Sequence, residues 1–302
     1  MAARQLRWIL ACELLGYLFW GGWLVSRSGW TPGAVAWLFA GFFFGGRLVF
    51  VLTTFALSRP SSDPLPTGER AGLLGALRML AGEYVALCLL FTVVQPFERF
   101  WLGPDRLAHC AARPVPLLLI HGYQCNRGFW FWLRRKLEAA GWTVATHSLE
   151  PVYADIDSYA EGVARRIDDV LAATGASQVI LVGHSMGGLA SRAYLRRHGM
   201  AKVARLVTLG SPHRGSLLAR LGLGPNARQM RVGSDWLEAL DAPLPPASVS
   251  IYSRHDNYVY PQQACSTLEG ATTVAIGGVG HLGMALSPRA LGSLTDALEA
   301  SV

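Results

Sequence analysis

Charge is scarce in this chain, and lysine scarcer still. Asp, Glu, Lys and Arg make up 16% of its 302 residues, and 25 of the 27 basic residues are arginine. So low a charged fraction, beside 51% hydrophobic residues, excludes an ordinary soluble protein throughout. The formal net charge of +7 is a mild excess, suited to an anionic lipid surface. No nucleic-acid-binding module accompanies it, so no nucleic-acid partner is expected. Cysteine is also sparse. Cys12, Cys88, Cys110, Cys125 and Cys265 show neither metal-ligand spacing nor a dense disulfide framework. Free thiols and a Cys110–Cys125 bridge both fit. No metal and no cofactor are expected.

What the chain has in abundance is long apolar runs. Residues 8–25 hold one charge, Glu13; residues 33–57 hold one, Arg47; residues 71–94 hold two, Arg78 and Glu83. About 20 helical residues span a bilayer core, so each run is long enough. Trp8, Trp30 and Trp37 lie near the ends of the first two, where indoles favour the membrane interface. Gly41 and Gly45 form a Gly-x-x-x-Gly pair suited to close helix packing. Three transmembrane helices are expected; the alternative is three buried core helices. The first run lacks an Ala-x-Ala site after it, so it reads as a retained anchor and not a cleaved signal peptide. Arg47, Arg78 and Glu83 are then functional groups or, more simply, partners in ion pairs between packed helices or snorkelling side chains. Three spans place the N-terminus opposite the remainder of the chain. Arg4, Arg7, Arg59 and Arg70 against Arg27 put the N-terminus in the cytoplasm and the remainder outside, periplasmic in a Gram-negative host. Arg99, Arg106 and Arg113 weigh the other way.

The organisation expected is a membrane region over 1–95, an amphipathic connector over 96–113, and an α/β domain over 114–302. Strands are expected at 115–120, 143–146, 178–183, 204–209, 249–252 and 272–276, with helices at 128–140, 156–173, 186–198 and 287–300. Strands alternating with helices imply a parallel sheet covered on both faces, and about 190 residues suffice for its own core. A Gly/Pro-rich excursion fills 210–247, far longer than usual connections. Its Leu217, Leu218, Leu221 and Leu223, then Trp236, Leu237 and Leu240, with arginines between, suit a flap over an acyl pocket; the alternative is an insertion packed on the sheet.

Gly183-His184-Ser185-Met186-Gly187 falls between an apolar strand and a helix. A serine there sits on a sharp turn that lifts its hydroxyl above the sheet edge. Such a hydroxyl needs a base, and the base an orienting acid. Asp256 and His281 follow in the order Ser, Asp, His, each just beyond a strand, at the sheet edge where the serine emerges. Asp235 and Asp241 are rival acids in the excursion. An oxyanion hole requires two backbone N–H donors, expected from Met186 and from Tyr123 in the His121-Gly122-Tyr123 loop. His184 is expected to pack locally, His121 to brace the loop, His213 to cap the surface, and His255 to point away from the acid.

Together these motifs resemble the small bacterial lipases of the α/β-hydrolase superfamily. The likeness rests on His121-Gly122, Gly183 to Gly188, Leu209-Gly210-Ser211-Pro212-His213-Arg214-Gly215, and Ile251-Tyr252-Ser253 through Gly278-Val279-Gly280-His281-Leu282-Gly283. It spans roughly residues 114–300. The resemblance implies an α/β-hydrolase sheet, a triad of Ser185, Asp256 and His281, oxyanion donors Tyr123 and Met186, and a lipid or small acyl-ester substrate. The expected function is a membrane-anchored serine ester hydrolase. The alternatives are an acyltransferase using the same residues and a membrane scaffold with a relict domain.

Overall fold

The computed structural model describes residues 1–65, 72–107 and 113–300, and it opens with a helical hairpin. Helix α1 (Ala2–Ser28) stops at Gly29, whose φ of 69° an L side chain adopts only with strain. Helix α2 (Pro32–Ser58) starts behind Thr31, which accepts the Ala34 N–H, with Pro32 in the first turn where a missing donor costs nothing. The two pack antiparallel. Tyr17 stacks on Phe39, Gly21 lies under Val35, and Glu13 pairs with Arg47. Helix α3 (Leu73–Cys88) continues through a π-helical turn, Leu89–Val94, and a 3-10 turn, Gln95–Phe97, into α4 (Glu98–Leu102). The stretches Ala2–Ser28, Pro32–Ser61 and Leu73–Leu102 are each long and apolar enough to cross a membrane. Only 6% and 11% of the most apolar windows of the first two are buried by protein, so a protein core does not account for them.

The expected alternation of strands and helices is present. Strand β1 (Leu117–Ile120), α5 (Phe131–Ala139), β2 (Val144–His147), α6 (Tyr159–Thr174), β3 (Val179–His184), α7 (Met186–His198) and β4 (Val203–Leu209) come first. The excursion carries α8 (Gly224–Gln229) and α9 (Asp235–Glu238). Strand β5 (Val249–Ser253), α10 (Gln262–Ser266), β6 (Thr272–Ile276) and α11 (Pro288–Glu299) complete the domain. The six strands pair in parallel in the order β2-β1-β3-β4-β5-β6. Central strands β1 and β3 are buried throughout, which is why they read as continuous apolar runs without alternation. Leu118, Ile120, Leu181 and Leu189 pack on one face of the sheet.

The core on the other face crosses the boundary expected at residue 95. Ala86 and Leu90 of α3 are fully buried with Leu117, Leu119, Phe129, Trp130 and Ile251. The connector is fixed as well. Asp105, almost wholly buried, accepts from Arg134 at 2.9 Å, from Arg166 at 2.5 Å and from the Thr146 N–H at 2.8 Å.

Both ends of the hairpin meet the α/β domain. The Met1 end of α1 lies on it, where the terminal ammonium pairs with Glu150 and Arg7 donates to the Pro96 carbonyl. The far end of α2 lies there too, Ser62 and Asp63 bonding to Gln262. Helix α3 packs on the domain from Glu83 onward. Arg78 is exposed. Cys110 lies outside the described residues; Cys12, Cys88, Cys125 and Cys265 are free.

Candidate active site

Ser185 has φ 54° and ψ −127°, a strained conformation for a residue with a side chain, of the order of 1–3 kcal/mol. Its neighbours hold it there. The Ser185 N–H donates to Leu209 O at 2.9 Å, and its carbonyl accepts from the Gly188 N–H at 3.1 Å. A Cβ at residue 187 would run into the Ile120 carbonyl, so only glycine lets α7 start this close to β1.

Asp256 and His281 come together at the same edge. His281 Nδ1 donates to Asp256 Oδ2 at 2.8 Å, and Asp256 Oδ1 accepts the N–H groups of Tyr258 and Val259, both at 2.8 Å. Both side chains are buried. Burial alone would lower the His281 pKa. The charge of Asp256, the hydrogen bond to it and the charge of Glu83 outweigh that effect, and the pKa is raised. The rival acids Asp235 and Asp241 are exposed. Gly210, with φ 54°, leaves the room the pair needs, since a Cβ there would sit 3.1 Å from Asp256 Oδ2 and 3.3 Å from His281 Nδ1.

The His121-Gly122-Tyr123 loop lies over the serine: a Cβ on residue 122 would be 2.7 Å from Ser185 Cβ. His121 braces that loop. Its Nδ1–H donates to Gly122 O at 2.8 Å while Nε2 accepts the Leu149 N–H at 2.9 Å, and burial holds its pKa down at about 4. Among the described residues the Tyr123 N–H has no acceptor, and Met186 opens α7, where the first N–H groups lack intrahelical partners. The Tyr123 hydroxyl bonds both the N–H and the carbonyl of Leu223, tying the loop to the excursion. His184 stacks on Phe129 at 4.1 Å and lies 4.6 Å from the His281 ring. His255 Nδ1 accepts from Gly278, away from the acid. His213, expected at the surface, is buried with Nε2 2.9 Å from Thr208 Oγ1, because the chain turns under β4 directly after Pro212.

Several contacts come from the membrane region, and sequence reasoning did not find them. Glu83, buried on α3, makes no salt bridge to Lys or Arg among the described residues: its carboxyl accepts the N–H groups of Leu282 at 3.0 Å and Gly283 at 2.7 Å, immediately after His281. Thr54 on α2 accepts from Asn257, whose other amide atom accepts the His281 N–H. Gln95 grips Asn126 beside the His121-Gly122-Tyr123 loop with two 2.8 Å bonds. Tyr258 stacks on the His281 ring at 4.9 Å. For Glu83 the available signal was an acid alone in an apolar run.

Ser185, His281 and Tyr123 face one cavity of about 1090 Å³. The first half of the excursion forms part of its wall through Leu218, Leu221 and Leu223, whereas Leu237 and Leu240 from the second half are buried in the core. Flap and structural insertion thus divide the segment between them. No group of three His, Cys, Asp or Glu side chains suited to a metal occurs among the described residues.

Residues 115–231 match the family model described as the alpha/beta hydrolase fold. The chain carries the α/β-hydrolase fold. It is 36% identical over 117 residues to a triacylglycerol lipase from Pseudarthrobacter phenanthrenivorans, covering 36% of each chain. It is equally similar, over 36% of this chain and 32% of the relative, to one from Burkholderia plantarii. The match thus spans about a third of the length of these curated relatives. Among solved structures, the mature form of a Bacillus licheniformis lipase superposes with a TM-score of 0.54 at 20% identity, over 64% of this chain and 94% of that one. That likeness concerns the fold.

Proposed function

We propose that this chain is a membrane-anchored serine ester hydrolase that cleaves acyl esters of lipids. The observation that carries the reading is the hydrogen-bonded His281–Asp256 pair sharing one largely apolar cavity with a serine at a strained strand-to-helix turn. Ser185 Oγ attacks the ester carbonyl while His281 takes its proton. The N–H groups of Tyr123 and Met186 stabilise the oxyanion, each such donor contributing about 3 kcal/mol. His281 then protonates the departing alcohol, leaving an acyl-enzyme. A water molecule, deprotonated by His281, releases the acid and restores Ser185. Asp256 keeps the imidazole in the tautomer that presents Nε2 to the serine.

The hydrolase faces the cytoplasm in this reading. With α1 and α2 as the spanning hairpin and α3 lying along the domain, Arg4, Arg7, Arg59 and Arg99 gather on the hydrolase side against Arg27 near the hairpin tip. An impermeant maleimide on intact inner membranes should then label Ser28→Cys and spare Glu269→Cys; the reverse pattern places the hydrolase outside.

Purified full-length protein in detergent should hydrolyse p-nitrophenyl esters. Ser185→Ala or His281→Ala should each lower the rate by several orders of magnitude, and Asp256→Asn should do so with the fold retained. Activity near the unmodified level in Ser185→Ala or His281→Ala refutes the assignment.

A further inference from the structure

We infer that the acyl chain of the substrate lies between the membrane helices α1 and α2 and reaches Ser185 sideways from the bilayer. This rests on the ester-hydrolase reading and goes beyond it: it names a bilayer lipid with a long acyl chain as the substrate class. The catalytic cavity does not end at the α/β domain. It continues along α1 and α2, where Leu6 and Leu10 face Phe50 and Leu57, with Leu87 and Phe91 of α3 beside them. Its lining runs from Ala2 to Glu13 on α1 and from Phe42 to Leu57 on α2, a broad face of each helix of the antiparallel pair.

From Ala2 to Glu13 the channel follows α1 for about 16 Å, the reach of a long acyl chain and far more than acetate or butyrate fills. Its far end is polar. Arg47 meets Glu13 through two bonds, 3.1 and 2.9 Å, and Tyr17 donates to the same carboxyl at 2.7 Å. An acyl methyl end gains little by passing that ion pair, which narrows the apolar stretch available to it. The outer flanks of both helices, including Leu14, Phe19 and Val49, are exposed hydrocarbon. A cleft between such flanks opens onto lipid tails, and a soluble ester would have to cross them to enter.

Gly46 offers a clean test, since a Cβ built there meets nothing within 4 Å while the residue lines the channel at the level of the ion pair. Gly46→Trp fills the far end. Gly41→Trp adds the same bulk to α2 off the channel, also into open space. The full chain is reconstituted in phosphatidylcholine vesicles and assayed on p-nitrophenyl palmitate and butyrate. Each buried methylene is worth about fourfold in binding, so Gly46→Trp should lower palmitate kcat/KM by about tenfold or more and leave butyrate nearly unchanged. Gly41→Trp should alter neither. A palmitate-to-butyrate ratio unchanged in Gly46→Trp, or equal loss on both esters, overturns the inference.

A second measurement separates this inference from the reading beneath it. A hexadecyl fluorophosphonate bearing a terminal diazirine is added to the same vesicles. Ser185 Oγ forms the new P–O bond and fluoride leaves. Light should then cross-link the tail to α1 or α2. Cross-links confined to residues 217–223 overturn the channel while leaving the serine hydrolase intact. Absence of label on Ser185 refutes the hydrolase itself, and the channel with it.

Discussion

Replacing Glu83 by glutamine tests whether a helix outside the α/β domain positions the catalytic histidine. The carboxyl accepts two buried N–H groups, from Leu282 and Gly283. Glutamine keeps the shape and one acceptor oxygen but turns an amine toward the second N–H. One buried donor is then unpaired, at about 1–3 kcal/mol. The strained segment begins one residue after His281, so this cost falls on the placement of the imidazole. At tenfold per 1.4 kcal/mol, kcat should fall roughly ten- to hundredfold. His281 accepts a proton only when neutral, so kcat/KM falls as pH drops through its pKa, which the charge of Asp256 and the hydrogen bond to it raise against the effect of burial. The assay is kcat and KM against pH for full-length protein in detergent with a p-nitrophenyl ester. A kcat within about twofold of the unmodified protein, or a loss confined to KM, would refute the positioning role.

Asp105→Ala leaves the buried Arg134 with Glu138 as its remaining carboxylate and should cost about 1.5–3 kcal/mol, read as a fall in Tm of roughly 5 °C in detergent. An unchanged Tm means that the arginines find other acceptors. Gly210→Ala forces a Cβ toward Asp256 and His281 at a positive φ. It should reduce kcat by more than tenfold with little effect on KM, since the perturbed pair acts on the chemical step; a change confined to KM contradicts this. Tyr123→Phe removes both bonds to Leu223 and should raise KM for long-chain esters more than for butyrate, as the excursion loosens. Equal effects on both esters would mean that the tie serves the fold alone.

The domain was legible in the sequence wherever its physics is local. Buried parallel strands read as apolar runs, and the turn at Ser185 is dictated by glycines whose side chains would meet neighbouring backbone. Asp256 and His281 were findable because parallel strands end at one edge. Glu83 was not, because its partners lie about 200 residues further along the chain, and hydropathy registers only a lone acid. Asn257 is adjacent to Asp256, yet its bond to Thr54 spans a comparable separation. Counting arginines between apolar runs gives a sidedness only where every run crosses. Helix α3 is apolar partly to fill the hydrolase core with Ala86 and Leu90, and composition cannot distinguish that from facing lipid.

The order of the chain gives the Glu83, Thr54 and Gln95 contacts a consequence for biogenesis. A polypeptide emerges N-terminus first, so the hairpin and α3 are synthesised before β1. Their polar atoms await the loops bearing Asn126, Asn257 and His281, and those loops find their partners only where the hairpin has already been seated. A chain that misses the membrane would leave these amides unpaired and its channel without walls. On the membrane-anchored reading proposed above, the site loops of such a chain would go unsupported, and hydrolysis would be confined to protein that has reached its bilayer.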